Sequence, residues 1–446
     1  MSLVSTGFLL FLLAGVIVYY IIPKKMQWLW LLVLSCFYYL CSGYKTIIFI
    51  ITTTIVTYFA GVFLNKENER IKNIPAQADR SEKKKIKEDV KRRKKLIVAL
   101  LLVIIFGILA VIKYHTFAIE NINAVIGVFT GKYDTILTFK LLLPLGISFY
   151  TFQSAGYIID VYRDKYECCN NIFKFALFVS FFPQIMQGPI GRYDRLSPQF
   201  NEPHYFSLEN TEYGLQLMLW GFFKKIVIAD RIGVVADKVF LHPYDYNGIF
   251  VIVGVLAYCL QLYADFSGGM DVVSGAAELY GIRLDKNFRQ PFFSKSISEF
   301  WRRWHITLGT WMKDYVFYPF SLSKKMMKFS KLMKKHLGTF AGKTLPICLA
   351  DLLIFFLVGV WHGAAWKFIV YGMYNGIIIA ASSLLEPVYE KMFKVTHINK
   401  NAKWYRVFQI IRTFILVNIG WFFDDAANLK ESFVLIKNVF VNFSIK

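Results

Sequence analysis

Charged residues are scarce in this sequence of 446 residues. They make up 18% of it, against roughly 25% in soluble globular domains. Polar linkers that would divide a soluble chain of this length into domains are also missing. Apolar runs instead recur from residue 3 to residue 442, which excludes a secreted protein with a lone signal peptide. The composition therefore predicts a multi-pass membrane protein.

Cysteines are few, and their spacing does not suggest a structural framework. Four of the six lie in apolar runs, where they act as small hydrophobic residues. Cys168 and Cys169 are adjacent, which is poor geometry for a mutual disulfide and lacks the spacing of metal ligands. The sequence also lacks a phosphate-binding glycine loop, a nucleophile-elbow serine and the paired histidines of zinc hydrolases. No disulfide and no metal site is predicted.

Apolar runs of bilayer-spanning length predict the fold class. We expect an all-α polytopic membrane protein with about 10–11 transmembrane helices, together with interfacial or re-entrant helices. The segment Ser294–Phe320 is rich in charge and aromatic residues, so it is predicted to be an amphipathic helix at the interface. Residues 1–446 are expected to form a single integral membrane domain. The candidate spans are Leu3–Ile22, Trp28–Leu40, Thr46–Leu64, Leu96–Ile112, Leu141–Ile159, Ile172–Met186, Tyr213–Ile228, Ile249–Tyr263, Leu345–Val360, Phe368–Leu385 and Phe408–Phe423, with a weaker run at Phe433–Phe443.

Positive charge is concentrated in two segments. The net charge is +22, and residues 65–95 and 321–343 each carry an excess of seven positive charges. Nucleic-acid-binding proteins carry such charge on a soluble basic face, so no nucleic-acid partner is predicted. The positive-inside rule predicts that the two segments are cytoplasmic loops. Binding of anionic membrane lipid or an acidic partner is the alternative role.

His362 ends an apolar run, in the segment Leu357–Trp366 (LVGVWHGAAW). Ionisable side chains at membrane depth are costly, so each is a candidate functional residue. A buried imidazole tends to remain neutral and can accept a proton near pH 7. The residues alone leave two interpretations open: a reactive base, or a packing histidine bonded to a backbone carbonyl.

A second histidine lies in the segment Ser296–Asp314 (SISEFWRRWHITLGTWMKD). At helical spacing Trp304 and His305 share a face with Trp301 and Leu308. Arg302 and Arg303 point away from this face. An interfacial helix with an aromatic belt and basic anchors accounts for the tryptophans and arginines. It does not account for His305, so structural and functional interpretations both remain.

The two arginines have alternative partners of their own. A guanidinium group holds phosphate well, so Arg302 and Arg303 can bind a phosphate or a lipid headgroup. They can equally form ion pairs with Glu299 or Asp314.

Asp265 closes another apolar run, in Tyr263–Asp271 (YADFSGGMD). Its carboxylate can orient a histidine, or it can pair with an arginine such as Arg289 or Arg302. The structural pairing is the favoured interpretation.

Proline and glycine interrupt two further apolar runs, Leu143–Gln153 and Phe182–Arg192. Irregular backbone at membrane depth is tolerated only inside protein or beside a cavity. Gln153 and Gln187 offer hydrogen bonds there. Kinks stabilised by packed polar side chains are the simpler interpretation.

Together these segments resemble the membrane-bound O-acyltransferase family, and within it the alginate O-acetylase-like branch. The resemblance rests on 143–163 (LPLGISFYTFQSAGYIIDVYR), 180–192 (SFFPQIMQGPIGR), 261–271, 287–319 and 359–366 (GVWHGAAW). It implies a ring of helices around a central tunnel, with a family core at about 110–385. A related branch, which transfers D-alanine to teichoic acids, shares the two histidine motifs.

The resemblance also implies roles for particular residues. His362 corresponds to the most essential histidine of the family and is expected to be the base. His305 corresponds to the second motif histidine and is expected to position the donor or stabilise an oxyanion, with Trp304 and Trp361 lining the tunnel. Many members have Trp-His-Gly where this chain has Tyr-Asn-Gly with Asn375, so a third catalytic histidine is not expected.

The implied activity is acetyl transfer from a cytoplasmic thioester donor, for O-acetylation of a cell-surface or exported polysaccharide. Acetyl-CoA would be a co-substrate, and no bound cofactor is expected. The acetyl group would reach the polysaccharide directly or through an extracellular or membrane-anchored SGNH-like transferase. The implied location is a bacterial cell membrane. D-alanyl transfer to teichoic acid from a carrier-protein thioester is the enzymatic alternative, and a non-catalytic export scaffold or transporter is the alternative of another class.

Overall fold

The computed structural model describes residues 2–75, 79–139 and 141–441. Its regular secondary structure over these residues is helical throughout. Short 3₁₀ segments lie at Lys24–Met26, Tyr44–Thr46 and Pro291–Phe293, and π-helical segments at Phe223–Ala229 and Lys313–Phe317. The α-helices are α1 (Thr6–Ile21), α2 (Gln27–Gly43), α3 (Ile47–Lys72), α4 (Arg80–Thr130), α5 (Ile147–Tyr162), α6 (Ile172–Ser180), α7 (Phe182–Gln187), α8 (Tyr193–Asn201), α9 (Leu208–Phe222), α10 (Asp230–Phe240), α11 (Ile249–Glu278), α12 (Ile297–Arg303), α13 (Ile306–Met312), α14 (Tyr318–Ser321), α15 (Lys324–His362), α16 (Trp366–Leu384), α17 (Glu386–Thr396), α18 (Lys403–Asp425) and α19 (Leu429–Asn438).

The predicted all-α polytopic fold is confirmed. Within the described residues, six helical stretches are long and apolar enough to cross a membrane, and two shorter apolar helices lie at Thr6–Ile21 and Ile172–Gln187. This is fewer than the expected 10–11 spans, because α1 and α5 have only 16 residues each and because the single stretch Lys24–Lys72 contains both α2 and α3. The six stretches are Lys24–Lys72, Arg80–Thr130, Ile249–Glu278, Lys324–His362, Trp366–Leu384 and Lys403–Asp425.

The two lysine-rich segments predicted as cytoplasmic loops are largely helical, and their cytoplasmic location stays a prediction. Helix α4 begins within the first segment, and α15 begins within the second and is kinked at Gly338, where φ is +86°. Lysine, arginine and glutamate are good helix formers, which favours extension of an apolar helix into its charged flank. Asp79 and Ser323 cap the two starts by accepting hydrogen bonds from backbone N–H groups.

The segment Ser294–Phe320 is not the single amphipathic helix that was predicted. Helix α12 ends at Arg303, and α13 begins at Ile306. Between them His305 adopts the left-handed region, with φ +44° and ψ +52°. A side chain with a Cβ atom is strained there, and such strain is concentrated at functional sites. The break turns the histidine away from the helical register that the spacing suggested.

The first of two compact units comprises Met1–Trp220 and Gly269–Asp285. Its helices α2 and α6 pack together, and α3 packs on α4 and α5. Fully buried aromatic residues such as Tyr157, Phe175 and Phe178 form part of its core. The hydroxyl of Tyr157 accepts a hydrogen bond from the backbone N–H of Cys169 at 2.8 Å, so the phenol both packs and fixes the chain before α6.

The second unit comprises Gly221–Gly268 and Lys286–Lys446. It contains α15, α16 and α18, and an aromatic core in which Phe300, Trp304, Tyr371 and Trp421 are buried. The rings of Phe300 and Trp304 stack at 5.5 Å, and those of Tyr371 and Trp421 at 5.7 Å. Aromatic pairs of this kind add to the stabilisation from burial alone.

Helices α15 and α16 approach each other closely through glycines. A methyl group on Gly372 would overlap the carbonyl oxygen of Phe355, and one on Gly359 would overlap that of Phe368. Small residues allow this approach in membrane helices, where van der Waals packing drives association. The close approach positions the end of α15, which carries His362, against the start of α16.

We expect Gly372→Ala to destabilise the protein by about 1–3 kcal/mol, the usual cost of overpacking. The matched control is Gly107→Ala on α4, because a methyl group there meets nothing within 4 Å. Thermal unfolding of the detergent-solubilised protein measures both. Equal melting temperatures for the two variants would contradict the close packing of α15 on α16.

Candidate active site

His305 is almost completely buried in the second unit, at 3% exposure. Its ring contacts Phe266 edge-on at 4.9 Å between centroids, and Trp361 at 5.5 Å. Neither ring nitrogen has a hydrogen-bond partner among the described residues. Buried polar groups are nearly always paired, and leaving one unpaired costs about 1–3 kcal/mol. The unsatisfied nitrogens therefore mark a place where a polar group of a ligand can bind.

Burial makes this imidazole neutral. Loss of water, followed by the nearby His362, lowers the pKa of His305 to about 3. A neutral imidazole has one N–H donor and one acceptor nitrogen. At pH 7 His305 is therefore suited to donating a hydrogen bond rather than to supplying a positive charge.

The ring of Trp361 contacts both histidines. Its ring centroid is 5.5 Å from that of His305 and 5.2 Å from that of His362. His362, the last residue of α15, has a partly exposed side chain at 23%. The structure therefore brings together the two histidines and Trp361 that the motifs suggested, with one imidazole enclosed and the other accessible.

Asp424 supports His362 from the end of α18. Its Oδ1 atom lies 3.8 Å from Nδ1 of His362, and its Oδ2 atom accepts a hydrogen bond from the Tyr258 hydroxyl at 2.8 Å. The ammonium group of Lys367 donates to the backbone oxygens of Asp424 and Ala426 at 2.8 and 2.6 Å. This network holds the carboxylate beside the imidazole.

Sequence reasoning missed Asp424, Tyr258 and Lys367. Asp424 directly follows the apolar run Phe408–Phe423. The rule that identified His362, an ionisable residue closing an apolar run, applies to Asp424 as well. Nothing in the sequence pattern pairs it with a histidine 62 positions earlier.

Trp304 is buried, in an aromatic cluster next to His305. Its ring lies 5.0 Å from that of Phe288 and 5.5 Å from that of Trp421. These contacts give Trp304 a packing role, and its predicted place along a tunnel stays a prediction.

The charged residues predicted to support the site near α12 differ in their partners and exposure. Arg303 pairs with Glu299 at 2.6 Å, one of the two partners considered for it. Arg302 is exposed, and Asp314 is half-buried in the π-helical segment Lys313–Phe317.

Asp265 pairs with Lys225 at 2.5 Å rather than with an arginine, so the choice of Arg289 or Arg302 was wrong. The same ammonium group contacts Asp230 at 2.8 Å, because the π-helical segment Phe223–Ala229 carries Lys225 to both carboxylates.

Gln153 and Gln187 belong to the first unit. Gln153 is buried, and its amide nitrogen lacks a partner among the described residues. Gln187 is half-buried and packs so closely on Gly269 that a methyl group there would overlap its amide oxygen. Their predicted role in supporting a substrate stays a prediction.

Asn375, at the position where the resemblance leads one to expect a histidine, has a structural contact. Its Oδ1 atom accepts a hydrogen bond from the indole N–H of Trp301 at 3.1 Å, and its amide donates to the backbone oxygen of Tyr371 at 2.9 Å. The second bond is buried, and the first is partly buried. Asn375 therefore ties α12 to α16.

Comparison with known proteins identifies the family. Residues 169–419 match MBOAT, the membrane-bound O-acyltransferase family. The chain belongs to this family. The MBOAT match includes His305, His362, Tyr258 and Lys367, and it ends five residues before Asp424. It also supports a multi-pass membrane protein.

Several bacterial relatives are similar over much of this MBOAT chain. The probable alginate O-acetylase AlgI of Azotobacter vinelandii is 36% identical over 75% of this chain and 60% of the relative. The peptidoglycan O-acetyltransferase of Helicobacter pylori is 31% identical over 74% of this chain and 62% of the relative. The teichoic acid D-alanyltransferase of Bacillus subtilis is 29% identical over 64% of this chain and 69% of the relative. The chain thus spans about 60% of the length of the alginate relative.

The different exposure of the two histidines is testable by chemical modification. Diethyl pyrocarbonate acylates accessible neutral imidazole, so His362 at 23% exposure is expected to react much faster than His305 at 3%. Peptide mass spectrometry over a time course measures both rates. Unfolding in detergent is the control and should equalise them. Faster modification of His305 in the folded protein would contradict its enclosure.

Proposed function

We propose that this chain is a membrane O-acetyltransferase that moves an acetyl group from a cytoplasmic thioester donor to the hydroxyl groups of a cell-surface or exported polysaccharide. The observation that carries the proposal is the pair of histidines that both contact Trp361, one of them next to the Asp424 carboxylate. Similarity to alginate and peptidoglycan O-acetylating proteins supports acetyl as the group and a polysaccharide as the acceptor class.

The chemistry needs a base for the hydroxyl group and a donor for the oxyanion. In the proposed reaction, His362 accepts the hydroxyl proton as the oxygen attacks the thioester carbonyl carbon. The neutral N–H of His305 donates to the oxygen that becomes negative. The new C–O bond forms and the C–S bond breaks. The imidazolium of His362 then gives its proton to the departing thiolate, which leaves as a thiol.

Asp424 acts in this proposal as a positioning residue. A carboxylate next to Nδ1 holds the imidazole in the orientation that leaves Nε2 towards the substrate, and it stabilises the imidazolium that forms. Tyr258 in turn holds the carboxylate through the 2.8 Å hydrogen bond. The network supports His362 without contacting the substrate itself.

Replacing His362 tests the catalytic assignment. We expect His362→Ala to abolish O-acetyl ester on the polysaccharide, because it removes the proposed base, while the variant still reaches the membrane. His336→Ala, an exposed histidine in the lysine-rich part of α15, is the matched control and should retain full acetylation. Ester is measured in polysaccharide extracted from cells that produce each variant. Unchanged acetylation by His362→Ala, with polysaccharide export lost only on deletion of the protein, would favour the scaffold alternative.

Replacing Asp424 tests the positioning role. Asp424→Asn keeps the shape of the side chain but removes the charge, and we expect it to lower kcat by about 10²-fold with little change in KM, within the usual contribution of acid–base catalysis. Tyr258→Phe is expected to lower kcat less, and Asp424→Glu to recover part of it. Acetyl transfer by the purified protein, with its melting temperature as the control, measures these effects. A loss of activity that is explained entirely by a lower melting temperature would contradict the positioning role of Asp424.

The donor and the route to the acceptor are further parts of the proposal. Acetyl-CoA is the proposed donor, and an SGNH-like extracellular transferase is a proposed relay to the polysaccharide. If the relay holds, cells that lack such a partner should lose the polysaccharide ester, and their membranes should also lose acetyl-CoA consumption, because the accepting hydroxyl group is absent. Full acetylation without the partner would favour direct transfer.

D-alanyl transfer is the second candidate, favoured by the similarity to teichoic acid D-alanyltransferase. An alanyl ester carries an amine that an acetyl ester lacks. Mass spectrometry of esters released from the wall polymer therefore distinguishes the two groups, and an alanyl ester dependent on His362 would replace acetyl in the proposed reaction.

A further inference from the structure

A cavity of about 870 Å³ lies in the second unit, walled by α16, α17, α18 and the start of α12. Its volume is at the upper end of the range for small-molecule sites, about 300–1,000 Å³. Along α18 its lining residues extend from Trp404 to Leu416. Leu416 is the lining residue on α18 nearest to Asp424 and precedes it by eight positions, or about 12 Å along the helix axis, and neither histidine of the candidate site lines the cavity. The cavity is therefore separate from the histidines.

The charged residues that line this cavity are all positive. They are Lys295, Lys400 and Arg412, with no carboxylate among the lining residues. Lys400 is paired with Glu390, outside the lining, and its ammonium group lies 4.6 Å from the centre of the Phe393 ring. The guanidinium group of Arg412 donates to the backbone oxygen of Lys295 at 2.9 Å, which holds these two cationic residues together.

The backbone bond leaves further N–H groups on the Arg412 guanidinium. Glu299, which accepts a hydrogen bond from the backbone N–H of Lys295, is committed to Arg303 at 2.6 Å. Lys295 and Arg412 therefore present positive charge to the cavity without a carboxylate in its wall. An anionic oxygen is the complementary partner.

The remaining walls favour an amphiphile over a small polar anion. Ile378, Phe408 and Leu416 give them an apolar surface, and Trp404 is of the type that anchors helices at the membrane interface. Thr413 also lines the cavity, at 2% exposure, and its hydroxyl has no partner among the described residues. A ligand with both an acyl chain and an anionic headgroup satisfies these walls.

We propose that this cavity binds an anionic phospholipid, with its phosphate at Lys295 and Arg412 and an acyl chain along Ile378, Phe408 and Leu416. Basic pockets between membrane helices recognise anionic headgroups by charge, and their apolar walls accept the chains. The lipid fills the space between α16, α17 and α18 and stabilises the unit that carries Asp424. The proposal does not depend on the acyl-transfer reaction.

The experiment compares lipid stabilisation of the purified full chain in detergent. Phosphatidylglycerol is titrated while the melting temperature is recorded, and native mass spectrometry counts bound lipids. We expect stabilisation of the unsubstituted protein, and little from phosphatidylcholine. The double substitution Lys295→Gln with Arg412→Gln should raise the half-maximal phosphatidylglycerol concentration about tenfold or more, because it removes charge-assisted hydrogen bonds.

Two further variants separate binding from loss of fold. Lys403→Gln with Arg406→Gln removes two cations from the same region of α18, outside the cavity lining, and should respond to lipid normally. Ser382→Phe fills the cavity from its wall while leaving every cation in place, and should lose the response without losing stability in detergent alone. Equal lipid responses of all variants would overturn the proposal.

The sources of phosphate are also separated. Coenzyme A and inorganic phosphate are titrated in place of lipid. Stabilisation by either that is lost in the Lys295→Gln, Arg412→Gln protein would assign the cavity to a soluble phosphate compound and overturn the lipid proposal. Equal stabilisation by phosphatidylcholine would show that the cavity binds acyl chains without regard to headgroup charge. This result would also overturn the proposal.

Discussion

The close packing of α15 on α16 is the constraint on which the histidine site depends. Glycines at this contact leave no room for a side chain, so the end of α15 meets the start of α16 at a fixed place. His362 is the last residue of α15, and Lys367 lies in the first turn of α16. Lys367 binds the carbonyl oxygens at the end of α18, where the partial negative charge of the helix dipole is concentrated. Three helix ends are thereby held together around one imidazole and one carboxylate.

The site combines an enclosed histidine with an accessible one. His305 is held in a strained conformation by aromatic packing, and its nitrogens have no protein partner among the described residues. Such an arrangement lowers stability, so the fold must offset it through the aromatic core around Trp304 and Trp421. This is the pattern expected where binding of a substrate supplies the missing hydrogen bond. His362, by contrast, has a carboxylate that can balance a charge gained during reaction.

The fold class could be predicted from the sequence. His305 and His362 could be singled out as candidates, because scarce ionisable residues at membrane depth stand out from an apolar background, and their catalytic roles stay predictions. The sequence could not predict the turn at His305, since helical spacing is uninterrupted by proline or glycine from Trp301 to Leu308. The sequence also could not predict the partners of Asp265 and His362. Both pairings depend on helices that are distant in sequence or on a π-helical segment that shifts the side-chain register. Helix propensity could have predicted that the lysine-rich segments are helical. The positive-inside rule predicts the side of the membrane on which a segment lies, and not its conformation.

The continuous helix α4 changes how its positive charge acts. Lys84 lies 11 residues before Lys95, where the apolar run begins, and a rigid helix separates them by about 16 Å. This is about twice the Debye length at physiological ionic strength, roughly 8 Å. The outer lysines are therefore screened from charges at the level of Lys95. The lysines near Lys95 can hold the helix at a membrane surface. The lysines near Lys84 instead expose positive charge to solutes in the surrounding water.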